Sequence, residues 1–281
     1  MRDRILMCAP DHFEVAYVIN PWMEGNIARC SGVAAKRQWN ALARLIARVA
    51  DVEYITPAAG VPDMVFTANA GLVLGDKFVL SRFRHPERQG EEPHFAKWFA
   101  AMGFDVLTLP PELSFEGAGD ALLDRHHSLL WLGHGHRSSM LCAPLLTGLL
   151  DIDVQPLRLV NERFYHLDTC FCPLEGGYLM YYPQAFDAAS QMRIMARVPA
   201  ERRIIVSDED AINFACNAVN CAGNIFLNQA SEALVAELHS RGFAVHQTRL
   251  AEFMMAGGSA KCLTLKLTEE RRSLLRDAEV A

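Results

Sequence analysis

The sequence predicts an α/β fold, a closed ring of five ββαβ-type units, and three observations carry that reading. The first is a repeat. "NAGLVLGDKFVLS", "GDALLDRHHSLLWLG", "DTCFCPLEGGYLMYY" and "NAVNCAGNIFLNQ" each read as two short strands around a turn, and each is opened by Asn or Asp. Those openings, Asn69, Asp120, Asp168 and Asn217, recur at a spacing of 48 to 51 residues. The second is a constant order of elements after each hairpin: an amphipathic stretch with helical spacing, then another short strand. The third is that the chain ends complete the count. Helix "AAKRQWNALARLIARVA" and strand "DVEYIT" form a fifth copy if "RILMCAP" and "CLTLKL" supply its other strands.

Each unit can be traced in order. After the first hairpin come "HFAKWFAAMGF" as helix and "DVLTLP" as strand. The second continues with "MLCAPLLTGLL" and "DVQPLRLV", and the third with "QAFDAASQMRIMARV" and "RRIIVS". The fourth continues with "SEALVAELHSRG" and "FAVHQTRL". No Pro/Gly/Ser linker interrupts the series, so a single domain over residues 1–281 is expected. With 51% hydrophobic residues, a chain of this length can bury a large core.

Composition narrows the function. A net charge of −6 without a basic cluster argues against a nucleic-acid partner. No apolar run approaches the ~20 residues that span a bilayer, and the N-terminus lacks the apolar core of a signal peptide. The eight cysteines are scattered, which reads as reduced thiols in a cytoplasmic protein. Neither "CFC" nor "HGH" has the spacing of a zinc site, so no metal is expected.

A closed ring brings the unit openings to one centre, and reactive residues gather around them in "PDMVFTAN", "FEGAGD", "YHLD" and "GGSAKC". Cys262 follows a glycine-rich turn and is expected to start the last strand, on approachable backbone. A thiol nucleophile needs help to ionise, which a histidine supplies once a carboxylate orients it. His166 with Glu116 or Asp168 fits those roles. His166 and Asp168, two apart, are expected on one face of a strand with Leu167 turned into the core. Asp63 and Asp168 offer carboxylates to a planar, multi-donor cation such as a guanidinium. Taken singly, each of these residues is more often structural than catalytic.

In combination and in this order, "FEGAGD", "YHLDTCF" and "GGSAKC" resemble the guanidino-group-modifying, or pentein, superfamily over essentially the whole chain. The resemblance is nearest to its arginine dihydrolase branch, through "YVINPWM", "PDMVFTANAG" and "RFRHPERQGE". It implies a five-bladed α/β propeller and a hydrolase that needs no cofactor. Cys262 would be the nucleophile, His166 the general acid and base, and Glu116 the support of the histidine. Asp63 and Asp168 would contact the guanidinium, with Phe66 and Asn69 in the same substrate-binding segment. Arg88 and Arg137 would hold the substrate carboxylate, and Asn20 would bind near the amino-acid end. Where deiminases and dimethylargininases carry an acidic residue, this chain has Asn69, beside Ala68. In the dihydrolase branch that asparagine goes with two rounds of hydrolysis, from arginine to ornithine, carbon dioxide and two ammonia. Dimethylargininase, arginine deiminase and amidinotransferase activities are the enzymatic alternatives. A ribosome-binding pentein without the Cys-His-Glu set is the non-enzymatic one. A small guanidino compound is the expected partner, and a homodimer is the family habit.

Overall fold

The computed structural model describes residues 2–270, so Met1 and residues 271–281 of the expected domain lie outside it. It contains five three-stranded sheets, each a hairpin whose second strand is joined in parallel by the strand after a helix. In the first unit β3 (Gly71–Leu74) pairs antiparallel with β4 (Lys77–Leu80), and β5 (Asp105–Leu107) joins β4 in parallel. The second unit holds β6 (Ala121–Leu123), β7 (Leu129–His134) and β8 (Asp153–Arg158). The third holds β9 (Phe171–Leu174), β10 (Tyr178–Tyr181) and β11 (Arg203–Ile205). The fourth holds β12 (Val219–Cys221), β13 (Asn224–Leu227) and β14 (Ala244–Gln247).

The fifth sheet is built from both chain ends, as the repeat requires. β1 (Arg4–Cys8) pairs antiparallel with β15 (Leu265–Lys266) and parallel with β2 (Asp51–Ile55). The crossing helices are Gly32–Ile46, Glu92–Ala101, Cys142–Leu150, Ala188–Arg197 and Glu232–Ser240. Three of them start on side-chain caps that satisfy a free backbone N–H. Ser31 accepts from Ala34, Asp187 from Ser190 and Ser231 from Leu234. Pro156 and Pro173 sit inside strands, but on β8 and β9, the outer strands of their sheets, where no donor is lost from the ladder.

Apolar side chains close the ring unit by unit. Leu72 and Val79 of the first unit share a cluster with Leu130 and Leu146 of the second. Trp131, Phe171, Met180 and Ile225 join the second, third and fourth. Phe226 packs with Ile5 and Trp39 of the fifth unit, and Leu6 and Ile55 return to Phe78 and Phe99 of the first. Every sheet therefore buries its apolar face against a neighbouring unit, and none is an independent core. Among the described residues, no helix is long and apolar enough to cross a membrane.

The unit openings differ from the expected strands. Asn69 lies in the 3-10 turn Thr67–Ala70, Asp120 ends the helical turn Gly117–Asp120, and Asp168 lies in the 3-10 turn Leu167–Thr169. Each hairpin strand begins one to three residues later. A helical turn bends the backbone at each opening, and the side chains reach other units: Asn69 donates to the Glu116 carbonyl, Asp120 accepts from the Leu167 N–H and Asp168 faces Cys262. Close backbone approach accompanies the bend. Gly117, with φ of 56°, lies so near Gly71 that a Cβ would fall within 2.6 Å of its backbone nitrogen.

Candidate active site

All ten candidate residues are buried. A cavity with about 240 Å³ of empty space is lined by Asn20, Asp63, Phe66, Asn69, Arg88, Arg137 and Cys262. Glu116, His166 and Asp168 stand behind this lining, each bonded to a residue that forms it or to one another. A larger cavity of about 720 Å³ contains none of the ten, and it backs onto the site through Lys261, the neighbour of Cys262. Its walls are mostly apolar, among them Leu72, Leu122 and Phe171.

Glu116 is the hub. Its Oε2 accepts from Arg137 Nη1 at 3.0 Å and lies 2.7 Å from His166 Nε2, while Oε1 accepts from the Arg84 backbone N–H. Burial alone would raise this carboxyl, but Arg137 and His166 hold it well below the usual range, so it stays an anion. The other ring nitrogen of His166, Nδ1, is buried and has no partner among the described residues. Arg137 also donates to the Ile19 carbonyl and stacks over the Tyr165 ring.

Asp63 and Asn69 come from consecutive 3-10 turns around Phe66. Asp63 Oδ2 accepts from Tyr17 Oη at 2.9 Å, whereas Oδ1 is buried without a partner among the described residues. Burial raises the Asp63 carboxyl, and Arg88 opposes that shift. Arg88 forks onto Glu91 through Nε and Nη2, at 2.7 and 2.8 Å, and donates Nη1 to Asn69 Oδ1 at 2.9 Å. Burial pushes Glu91 up to about 7 despite that cation. Both arginines thus reach the cavity already paired with glutamates. Asn20 caps the turn Pro21–Met23 and donates Nδ2 to the Ala256 carbonyl.

Three expectations need correction. His166 and Asp168 do not share a strand; they flank Leu167 in a 3-10 turn that precedes β9. Leu167 is fully buried in the apolar core, as expected, while His166 faces Glu116 and Asp168 faces Cys262. Cys262 does not start a strand either, since β15 begins at Leu265. Nor is its backbone approachable: the residue is 2% exposed. The glycines before it serve close packing instead. A Cβ on Gly258 would meet the Phe66 ring at 2.4 Å, and one on Gly257, whose φ is 84°, would meet Asn20 Oδ1 at 2.8 Å.

The thiol's polar neighbours are Asp168 and Asn217, and the His166 ring is engaged with Glu116. Cys262 Sγ lies 3.4 Å from Asp168 Oδ2 and 3.1 Å from Asn217 Nδ2. Burial, followed by the Asp168 charge, pushes the thiol far above its ordinary range. Burial likewise takes Asp168 up to about 6, with Lys261 and the thiol contact opposing. Asn217, Tyr165, Tyr17 and Glu91 are site residues that motif reading passed over. Asn217 was within reach, because it opens the fourth unit as Asp168 opens the third. Among the described residues, no three His, Cys, Asp or Glu side chains are grouped to hold a metal ion.

Comparison with known proteins agrees with this geometry. Residues 32–269 match the family model for N,N dimethylarginine dimethylhydrolase, eukaryotic. The bifunctional arginine dihydrolase/ornithine cyclodeaminase ArgZ of Synechocystis is 59% identical over 266 residues. That match covers 95% of this chain but 38% of ArgZ. The N(G),N(G)-dimethylarginine dimethylaminohydrolase of Mycobacterium tuberculosis is 37% identical, over 94% of this chain and 85% of its own. Among solved structures, the N-terminal domain of ArgZ, a cysteine-to-serine mutant bound to substrate, superposes with a TM-score of 0.95 at 57% identity. It covers 96% of this chain and 100% of that domain. The ring, the buried thiol with its His–Glu pair, and these matches together place the chain in the N,N-dimethylarginine dimethylhydrolase family of the guanidino-group-modifying, or pentein, superfamily.

Proposed function

We propose that this protein is a cysteine hydrolase of arginine that completes two rounds of hydrolysis, and that the single domain read over residues 1–281 carries this chemistry. The observation that supports it best is the content of one buried cavity. A thiol, a His–Glu pair, a carboxylate with an unpartnered oxygen and an asparagine held by arginine line or adjoin about 240 Å³ of empty space. A parallel with ArgZ supports the same residues. The cysteine and asparagine substituted in its substrate-bound and covalently trapped forms are separated by the same number of residues as Cys262 and Asn69.

The chemistry follows from the electrostatics. In the free protein, burial and Asp168 keep Cys262 a thiol. A guanidinium entering against Asp63 and Asp168 brings a cation beside the sulfur, which favours the thiolate and keeps both carboxylates charged. The thiol proton passes to His166, the sulfur attacks the guanidinium carbon, and His166 hands that proton to the departing nitrogen, which leaves as ammonia. Nδ1 is the ring atom free for that transfer, because Nε2 is held by Glu116. His166 then takes a proton from the attacking water, the C–S bond breaks, and citrulline forms. In the second round the thiolate attacks the ureido carbon and a second ammonia leaves. Water then releases a carbamate that falls apart to ornithine and carbon dioxide. Buried, prearranged charges are worth several-fold more here than in bulk water.

The test is product analysis after incubation with arginine, dimethylarginine or citrulline. Two ammonia and one ornithine per arginine, consumption of citrulline, and no turnover by Cys262→Ser are expected. The family match and the mycobacterial relative favour one second reading, dimethylarginine hydrolysis. Dimethylamine and citrulline from dimethylarginine, with arginine untouched, would establish it instead.

A further inference from the structure

Asn217 has the densest set of hydrogen bonds around the nucleophile. It is fully buried, and its Oδ1 accepts from the backbone N–H groups of Ser259 at 3.1 Å and Cys262 at 3.2 Å. Its Nδ2 donates to the Asp168 carbonyl at 3.0 Å and to Cys262 Sγ at 3.1 Å. These four contacts fix the amide. The flipped orientation would press an NH2 group against two backbone donors and a carbonyl oxygen against another carbonyl. An N–H therefore points at the sulfur whether or not the sulfur carries its proton.

We propose that Asn217 is a catalytic residue that donates a hydrogen bond to the Cys262 thiolate, both when the thiolate forms to attack and when it is expelled from the covalent intermediate. The inference deepens the cysteine-hydrolase reading and rests on it. The donor acts differentially. Towards a neutral thiol it is a weak contact; towards a thiolate it becomes charge-assisted and about twice as strong. Burial and the neighbouring carboxylate both oppose ionisation of this sulfur. Among the described residues, the Ser259 backbone N–H and the Asn217 side chain are the donors that favour it. The identity of the fourth opening also follows. Aspartate there could accept from the same two backbone groups, but ionised it would have no donor for sulfur and would add a charge beside Asp168.

Asn217→Asp tests this most directly, since it preserves shape and the two accepted bonds. The readout is the pH dependence of Cys262 alkylation by iodoacetamide, followed by mass spectrometry of the peptide containing residue 262. In the folded variant, alkylation at pH 8 is expected to slow at least about tenfold, with the profile displaced to higher pH. Turnover is expected to fall about 10²–10³-fold, the loss seen when one prearranged donor is removed, with KM moving far less. Asn217→Ser, which keeps a shorter donor, should recover part of the alkylation rate. A folded variant whose profile overlies that of the parent overturns the proposal. Loss of folding in both variants does so too, and leaves Asn217 a structural clamp. Because alkylation needs no substrate, it separates this proposal from the choice of arginine: inactivity on arginine with a displaced profile refutes only the latter.

Discussion

Asp120 and Asp168 occupy the same place in successive units, and burial pushes both carboxyls up to about 6. Their neighbours differ. Asp120 Oδ2 accepts from the Ser138 backbone and hydroxyl, at 3.1 and 2.6 Å, and Oδ1 accepts from the Leu167 N–H at 3.1 Å. Both oxygens are occupied by protein donors, and the last of these bonds staples the second unit to the third. Asp168 instead turns its oxygens to the Cys262 sulfur, at 3.4 and 3.7 Å, a weak partner for a buried carboxylate. One repeat position thus serves as a fastener in one unit and as an acceptor in reserve in the next. An acidic opening carries no functional meaning by itself; unspent lone pairs do.

Exchange to asparagine separates the two most widely. Asp168→Asn should lower kcat/KM for arginine about 10²-fold or more, because a charge-assisted contact to the cation is lost in a dry cavity. Its melting temperature should hold or rise. Asp120→Asn should behave in the opposite way. An NH2 group would face either Ser138 or Leu167, leaving a buried donor unmatched at a cost of about 1–3 kcal/mol, with activity in the folded fraction reduced far less. Thermal melts alongside steady-state kinetics distinguish them, and equal losses in both measurements for the two variants would erase the distinction.

The pH dependence sharpens it further. Both carboxyls lie at about 6 when folded, above their ordinary 3.8. Between those values the folded state binds more protons than the unfolded one, so stability falls as pH rises through the window. Removing either carboxyl should flatten that slope. For Asp168→Asn the gain in melting temperature should therefore be larger at pH 7 than at pH 4. A gain that is equal at both pH values would show that Asp168 titrates near its ordinary value.

The repeat was legible because hairpin turns and helical spacing leave periodic marks, and because the count closes only if the chain ends meet in β1 and β15. The turns holding Asn69, Asp120 and Asp168 left none, since three or four residues are too few to show a period. Burial of charge was equally hidden. Arg88 and Arg137 look like surface residues until Glu91 and Glu116 are seen beside them, and those partnerships form only in three dimensions. The thiol at Cys262 was found through its motif, but its surroundings were not. Its donor, Asn217, lies 45 residues away and was visible only as one more opening of the repeat.

Asn69, the opening of the first unit, provides the finest test of how these positions divide their roles. Its Oδ1 is claimed by Arg88, so its Nδ2 is turned towards the Glu116 carbonyl, at a marginal 3.5 Å. Asn69→Asp would keep the Arg88 contact while placing a second oxygen where the amide now offers N–H groups. It would also add a negative charge to a site that already holds Asp63, Glu116 and Asp168. Such a site gains affinity for a guanidinium and none for the neutral ureido group of citrulline, whose carbonyl would lose a donor. A bond to a charged partner is worth about 1.5–3 kcal/mol, so the preference for arginine over citrulline should widen roughly tenfold or more. Ammonia released per arginine should fall from two towards one, and citrulline should accumulate. If citrulline is still consumed at the parental rate, the second round is governed elsewhere. Attention would then move to Ala68, which is fully buried beside Asn69 with its N–H on the Cys262 carbonyl at 3.1 Å.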